Sequence, residues 1–295
     1  MGLPAMWYNA SDMRYVHAMP GAVVALVVFS ALNLFIKEPI SIPNGEVILT
    51  VATFLFAIIA GFYIARLGSR YDAIRSLVAQ EDANFLALYQ TSRAYGRKFS
   101  DSLRELIDRY YVMAYDSLLA TYEYKRTAPE FLLMWKHVVG NKATKDGNAG
   151  QVLLNQLTQI ENSRNGAATI ASERLHASQW SVLVMLTIII LIGLYGLDLS
   201  EPFVRAVVIL LSTAIVLILL ILRDLQNLML GGTALLEESG QEVLESIGKP
   251  RYYNARFLKI GVSKIPGRVT EYRLGRHAPG AEKTDIVMVR RKGKR

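Results

Sequence analysis

Four long apolar runs alternate with polar stretches along the chain. They cover residues 19–36, 47–65, 180–197 and 203–222. A helix of about 20 residues, rising 1.5 Å per residue, reaches about 30 Å, the thickness of the hydrocarbon core of a bilayer. The pattern therefore predicts four transmembrane helices. The short connections between the first two runs and between the last two pair these helices into two hairpins.

Basic residues beside the apolar runs predict the orientation in the membrane. Arg66, Arg70 and Arg75 follow the second run and Arg223 follows the fourth, whereas the two short connections contain proline and lean acidic. Positively charged loops stay on the cytoplasmic side of a membrane protein. We therefore expect both termini and the central segment to be cytoplasmic and both hairpin tips to face out.

The polar stretch between the second and third runs has helical periodicity throughout. No proline follows the second run before Gly96, so one helix is expected to leave the membrane and continue for several turns into water. Capping-box spacing predicts that further helices start at Ser102 and Thr127. A last helix from Gln151 is expected to run on into the third span. These helices would pack as a cytoplasmic bundle.

The chain is thus predicted to be an all-α integral membrane protein with six segments. In the fifth segment a helix is expected to be broken or bent near Gly231 and Gly232, and in the sixth one short β-hairpin is expected. The segments are a cytoplasmic N-terminal arm at 1–18, a first transmembrane hairpin at 19–65, a helical cytoplasmic domain at 66–179, a second hairpin at 180–222, a cytoplasmic helix at 223–248 and a basic tail at 249–295.

Composition and charge narrow the classes of function. The chain is 52% hydrophobic with a mean hydropathy of +0.25, yet 20% of its residues are charged, as expected for spans with a real water-exposed part. The net charge of +8 favours contact with anionic lipid head groups over nucleic acid. Cysteine is absent, which excludes disulfides, thiol catalysis and thiolate metal sites.

Motifs for catalysis or cofactor binding are missing from the sequence. The four histidines are scattered, and there is no HExxH, Walker A, GxGxxG or GxSxG motif. Glu81 and Asp82, like Glu237 and Glu238, are adjacent and would diverge by about 100° on a helix. They predict a solvated face or an ion pair with a nearby arginine rather than a cation site. We therefore predict no enzyme, no cofactor and no metal site.

One apolar row on the second span is the main candidate for a functional surface. Thr50, Phe54, Ile58 and Phe62 follow each other at a spacing of four, on one face of the helix. Several copies of this row around an axis would form a hydrophobic constriction that can gate by dewetting. The alternative is that the row faces lipid or a neighbouring span. No span has an ionisable residue at its centre, which argues against a proton relay or a coupled transporter.

Several segments of the sequence, together with the order of spans, carry a resemblance to a known family. The chain resembles the bestrophin-like domain family of bacterial and plant membrane proteins over most of residues 20 to 235. The segments are Arg70-Tyr71 through Arg75, Gln80-Glu81 and Leu88-Tyr89 after the second span, LRELIDRYYVMAYD in the next helix, and Asn162-Ser163-Arg164 with SERLHASQWSVL before the third span.

The resemblance implies a homo-oligomeric ion channel. Bestrophins are pentameric anion channels whose second helices line the pore. By analogy the chain would sit in the bacterial inner membrane beside lipid and conduct inorganic ions, preferably anions. The row of Thr50, Phe54, Ile58 and Phe62 would line the pore, and Arg66, Arg70 and Arg75 would form its basic cytoplasmic mouth.

Two points limit the analogy. Bestrophins bind calcium at an acidic clasp after the fourth span, and here the corresponding stretch retains Asp224 without an acidic cluster, so calcium gating is not expected. The second point is a different class of function that the sequence leaves open. In it the spans are only an anchor, and the cytoplasmic bundle and basic tail recruit a protein or anionic lipid without any transport.

Overall fold

The fold is mainly helical, as predicted, with one small sheet. The computed structural model describes residues 15–35, 45–116, 124–144, 148–231, 235, 239–276 and 284–291. The strands in this part of the chain are β1 Arg251–Asn254, β2 Glu271–Arg276 and β3 Asp285–Arg290. The helices are α1 Ala18–Phe35, α2 Gly45–Ser92, α3 Arg97–Asp116, α4 Tyr124–Gly140, α5 Asn148–Ser172, α6 Ala177–Tyr195, α7 Pro202–Gln226, α8 Gln241–Ser246 and α9 Ala255–Ile260.

Four of these helices are long and apolar enough to cross a membrane. They are α1, α2, α6 and α7, which agree with the four predicted spans. At 48 residues α2 is much longer than a bilayer requires. It continues past Arg66 without a break, as the absence of proline predicted.

The described chain divides into two compact units. We call Val16–Ser69 with Arg174–Leu230 the membrane unit, and Arg70–Glu173 with Gly231–Arg295 the helical unit. The division falls within α2. The six-segment division from the sequence remains a prediction.

In the membrane unit α1 packs antiparallel along α7. A Cβ atom at Gly21 would lie 2.6 Å from Leu220 Cδ1, so the two helices approach closely there. The buried carboxylate of Asp224 accepts the backbone N–H of Ala18 at 2.8 Å, and its other oxygen accepts a hydrogen bond from Arg223, also at 2.8 Å. The first N–H groups of a helix lack partners within the helix and carry partial positive charge. Asp224 therefore caps α1.

The expected continuous helix from Gln151 into the third span is wrong, because α5 ends at Ser172 and α6 begins at Ala177. His176 is the N-cap of α6, and its backbone N–H donates to the side chain of Gln179 at 2.8 Å. The side chain of Gln226 accepts from the Leu175 backbone N–H and from the Trp180 indole N–H. These bonds satisfy the donors that the break leaves without helical partners.

Other predicted helix boundaries are also wrong. Ser102 lies inside α3, where its hydroxyl donates to the Lys98 carbonyl at 3.0 Å. Gly96 has a φ of 87°, a conformation that interrupts the helix, so α3 begins directly after it. Thr127 lies inside α4, which begins at Tyr124. Beyond the fourth span α7 ends at Gln226, and the positive φ values of Leu228 (56°) and Gly231 (93°) follow, in agreement with a helix that breaks near Gly231.

The helical unit has a core along one face of α2. Ile74, Val78, Phe85 and Leu88 are all buried, as their periodicity predicted. The residues that complete this core from the other helices of the unit include Leu103, Ile107, Phe131, Met134, Leu153 and Leu157.

The stretch predicted as a basic tail contains the small sheet. Strand β2 pairs parallel with β1 and antiparallel with β3, so the hairpin is formed by β2 and β3. Arg273 donates two hydrogen bonds to the buried carboxylate of Asp108 on α3, at 2.8 and 2.5 Å. Asp116 at the end of α3 accepts from the Tyr252 and Thr284 hydroxyls. Acidic residues of α3 thus hold the basic C-terminal segment in place.

Replacing Asp224 by alanine tests its role as the cap of α1. We expect D224A to lower the stability of the detergent-purified protein by about 1 kcal/mol, because the helix loses both an acceptor and a favourable charge at its positive end. Thermal unfolding followed by circular dichroism measures this change. D198A is the control, since among the described residues Asp198 accepts a hydrogen bond from the nearby Ser200 N–H alone, in an exposed turn. Equal effects of the two substitutions would contradict the assignment.

Candidate pore-lining surface

Within the membrane unit α2 has one buried face. Ala52, Phe56, Ala60 and Leu67 are each at most 5% exposed. Near the start of this segment α2 packs against α6, where a Cβ on Gly193 would lie 3.1 Å from Leu49 Cδ1. This face therefore fixes the rotation of α2 about its own axis within the unit.

The predicted apolar row lies on the opposite face. Phe54, Ile58 and Phe62 are 64%, 54% and 65% exposed, and Thr50 is exposed as well. Two positions along a helix correspond to a rotation of about 200°. Phe54 and Ile58 each follow a residue of the buried face by two positions, so they point away from that face. The structure brings all four residues to one outer surface of about 18 Å in length. We call this surface the α2 stripe.

Thr50, the one polar residue of the stripe, exposes less hydrogen-bonding capacity than its residue type indicates. The Thr50 hydroxyl donates to the Glu46 carbonyl one turn earlier, at 2.8 Å. Its proton is used within the helix, a common arrangement for threonine in helices. The α2 stripe is therefore close to uniformly apolar, the property that a constriction gated by dewetting requires.

The three arginines after the stripe do not share one surface. Arg66 and Arg75 are exposed, whereas Arg70 is buried. Four residues correspond to a rotation of about 400°, so each residue in a series spaced by four lies about 40° further around the helix than the one before it. Arg70 is the fifth residue after Thr50 in this series, so it lies about 200° around α2 from Thr50, on the opposite side.

The contacts of Arg70 are structural. Its Nε and Nη2 atoms donate to the carbonyls of Ile170 and Ala171, at 3.0 and 2.7 Å. These carbonyls are at the C-terminal end of α5, where acceptors lack helical partners and the helix dipole is negative. Arg70 therefore caps α5. The predicted role at a pore mouth stays a prediction, and of the three side chains those of Arg66 and Arg75 are exposed.

The adjacent carboxylates Glu81 and Asp82 are not on a solvated face. Glu81 is buried and accepts the hydroxyl of Tyr110. Asp82 accepts the Tyr111 hydroxyl at 2.7 Å, and its other oxygen accepts the Ser239 hydroxyl and the Gly240 N–H at 2.8 and 2.9 Å. Each carboxylate thus joins α2 to a tyrosine of α3. Glu237 and Glu238 lie outside the described residues.

Burial raises the pKa of Asp82 to about 6, although its hydrogen bonds from Tyr111, Ser239 and Gly240 act in the opposite direction and limit the rise. The negative charge of Glu242 adds to the increase in pKa. Asp82 lies about 25 Å along α2 from the end of the apolar run at Ala65. It is therefore a group of the helical unit that titrates near neutral pH.

A buried arginine, Arg164, which the sequence indicated only as part of the family resemblance and without a site role, completes this region. The Arg164 guanidinium lies 4.3 Å from the ring centroid of Phe131 and 5.3 Å from that of Tyr110. It also donates to the Thr127 hydroxyl at 2.9 Å and to Glu161 at 3.2 Å. Arg164 continues the buried row of Leu153, Leu157 and Ile160 on α5, so the apolar periodicity of that helix could have identified it.

Comparisons with known proteins agree with the fold. The sequence model of the bestrophin-like domain matches residues 44–231, which include α2 and all of α6 and α7. A crystal structure described as that of a membrane protein superposes on 77% of this chain and 95% of its own, with a TM-score of 0.54. Its identity to the chain is 14%, so the likeness is one of fold. No match was found among curated proteins.

The raised pKa of Asp82 predicts how the stability of the helical unit depends on pH. The folded state holds the proton more tightly than the unfolded state, whose pKa is near 3.8. The contribution of Asp82 to stability is therefore greatest below about pH 4 and falls as the pH rises to about 6, by about 3 kcal/mol. Above pH 6 this contribution is constant.

Unfolding of the wild type and of D82N in detergent between pH 4 and 8 measures this contribution. We expect the difference in unfolding free energy between the two proteins to change between pH 4 and 6 and to be flat above. D72N is the control, because Asp72 is an exposed carboxylate on the same helix. A wild-type minus D82N difference without pH dependence would show that Asp82 titrates like an exposed carboxylate.

Proposed function

The chain belongs to the bestrophin-like domain family, and on that premise we propose that it is a passive ion channel whose pore is lined by the α2 stripe. The observation that carries the proposal is the pair of faces on α2. One face is packed within the membrane unit, and the other exposes Phe54, Ile58 and Phe62 along the same side of the helix. A single helix cannot enclose a pore, so several copies of the chain must surround an axis.

The assembly and its setting follow from the same premise. Bestrophins are pentamers, and we propose a homo-pentamer in which each chain contributes one stripe. The channel would lie in the bacterial inner membrane with both termini in the cytoplasm, in agreement with the arginines that follow the spans. Its direct partners would then be membrane lipids, inorganic ions and the other copies of the chain.

The proposed selectivity is for anions. Arg66 follows Phe62 by four residues, about 40° from it around α2, and is exposed. Arg75 is exposed too, but it lies nine residues after Arg66, about 180° around the helix from it, so the copies of Arg66 carry this part of the proposal. A ring of copies would place several of these positive charges near one axis, which raises the local concentration of anions. Chloride and other inorganic anions are the substrates of this proposal.

Gating would depend on the width and polarity of the stripe. Stacked rings of phenylalanine and isoleucine form a constriction that water leaves readily, and an ion cannot cross it without its hydration shell. A wider opening, or more polar side chains around it, admits water and lowers this barrier. The channel would therefore close by dewetting rather than by a charged gate.

The alternative from the sequence, a membrane-anchored scaffold that recruits partners through a basic tail, has less support. Lys249, Arg251 and Arg273 are engaged by carboxylates of the same chain, namely those of Glu105, Glu245 and Asp108. These positive charges are therefore already neutralised within the helical unit. A scaffold would leave a salt gradient across liposomes intact, whereas a channel would dissipate it.

Alanine at Ile58 tests the stripe directly. We expect I58A to increase anion flux into liposomes several-fold, because loss of the side chain widens the constriction and makes it easier to wet. Flux is followed with a chloride-sensitive dye trapped in the liposomes, at equal amounts of reconstituted protein.

The matched control is I188A. Ile188 lies on α6 and is 52% exposed, close to the 54% of Ile58, but it is outside the stripe. We expect I188A to conduct like the wild type. If I58A also conducts like the wild type, or if both variants change flux equally, the stripe does not line the pore. If the wild type carries no flux at all, the scaffold is the better account.

A further inference from the structure

Three polar side chains are buried inside the membrane unit, away from the α2 stripe. They are Asn33 on α1, Thr187 on α6 and Ser212 on α7, which are 4%, 6% and 0% exposed. Within the described part of the chain, Asn33 Nδ2, Thr187 Oγ1 and Ser212 Oγ have no hydrogen-bond partner of good geometry. All three belong to helices that can span the membrane.

This arrangement is costly if the interior is dry. An unpaired hydroxyl or amide group in hydrocarbon costs several kcal/mol, and lipid cannot supply a partner. Buried polar groups in proteins are almost always paired, either with protein atoms or with ordered water. Three such groups in one unit therefore indicate a ligand that can both donate and accept hydrogen bonds.

The packing of α1 on α7 places two of these groups near other polar atoms. Ala18 lies opposite Asp224 and Gly21 opposite Leu220, and this antiparallel register continues to place Phe29 opposite Ser212. The Tyr195 hydroxyl donates a long hydrogen bond of 3.4 Å to the Phe29 carbonyl.

The Ser212 side chain also lies within interacting distance of the Tyr195 hydroxyl. Asn33 follows Phe29 by one helical turn. A cluster of polar atoms thus lies where α1, α6 and α7 meet.

Thr187 extends this cluster toward the middle of the membrane. It precedes Tyr195 by eight residues, about 12 Å along α6. The short connection between Tyr195 and Pro202 makes α6 and α7 antiparallel neighbours, which brings Thr187 to about the depth of Leu210, within one turn of Ser212. The polar atoms are therefore distributed over two to three helical turns of the interior.

We propose that each membrane unit binds ordered water between α1, α6 and α7, held by Ser212, Thr187, Asn33 and the Tyr195 hydroxyl. Water fits because each molecule can accept from the asparagine amide, donate to the Phe29 carbonyl and do either with the hydroxyls. None of these side chains is charged, so the site is suited to neutral water rather than to an ion. The site lies within one chain and does not depend on the proposed channel.

Two nearly isosteric substitutions distinguish a hydrated interior from a dry one. T187V and S212A each remove a hydroxyl with little change in shape. If water is bound, each variant leaves a water molecule without a partner, and the unfolding midpoint in detergent falls by about 2–4 °C. If the interior is dry, each variant removes an unpaired polar group, and the midpoint stays the same or rises. An unchanged or a raised midpoint overturns the proposal.

T213V is the control on the same helix. The Thr213 hydroxyl donates to the Ile209 carbonyl at 2.8 Å, so its loss strands no water. We expect T213V to shift the midpoint by less than T187V does. An equal fall in T213V would assign the effect to the substitution itself and overturn the hydration proposal.

Radiolytic labelling of the wild-type protein gives a second readout that needs no variant. Brief X-ray exposure produces hydroxyl radicals from bound water, which oxidise the side chains beside it. We expect oxidation at Tyr195, which is 5% exposed, and none at Phe56, which is 3% exposed on the apolar buried face of α2. Rates are normalised to the intrinsic reactivity of each side chain. Equal normalised rates at Tyr195 and Phe56 would overturn the proposal.

Discussion

The need to satisfy every polar group away from water is the constraint on which the membrane unit depends. Asp224 accepts the first N–H of α1, and Thr50 returns its hydroxyl to the carbonyl of Glu46. The break before α6 is closed by Gln179 and Gln226 in the same way. Hydrocarbon offers no hydrogen-bond partner, so each of these side chains must bond to a nearby backbone or side-chain group. These hydrogen bonds determine where the helices begin, which apolar packing alone does not. The same constraint makes the three buried polar groups between α1, α6 and α7 informative.

Features that follow from one-dimensional patterns could be predicted from the sequence. The four spans follow from the length of the apolar runs, and the length of α2 follows from the absence of proline. The buried face with Ile74 and Val78 follows from apolar residues repeated at a helical period. Helix boundaries could not be predicted, because the positive φ of Gly96 overrides the capping pattern at Ser102. The pairing of β1 with β2 depends on contacts between distant residues, and no local pattern encodes it.

The arginines show why the candidate site was only partly predictable. Arg66 and Arg70 are equivalent by spacing, yet the drift of a four-residue row turns Arg70 to the buried side of α2, where the end of α5 supplies two carbonyl acceptors. Arg164 is buried between aromatic rings for a similar reason, since the row of leucines on α5 continues through it. The charge of an arginine thus does not indicate its exposure, whereas its phase relative to the apolar residues of the same helix does.

The most direct test of a pore lined by α2 is whether a thiol reagent in water reaches a single cysteine on the α2 stripe but not one on the exposed face of α6. The chain has no cysteine, so I58C and I188C each carry one thiol on a silent background. A water-soluble, charged thiol reagent is added to liposomes that contain either variant while anion flux is recorded. The account predicts that the reagent changes flux through I58C, because Ile58 lines a water-filled path, and leaves I188C unaffected. An I58C channel that conducts and is insensitive to the reagent would contradict a pore lined by α2.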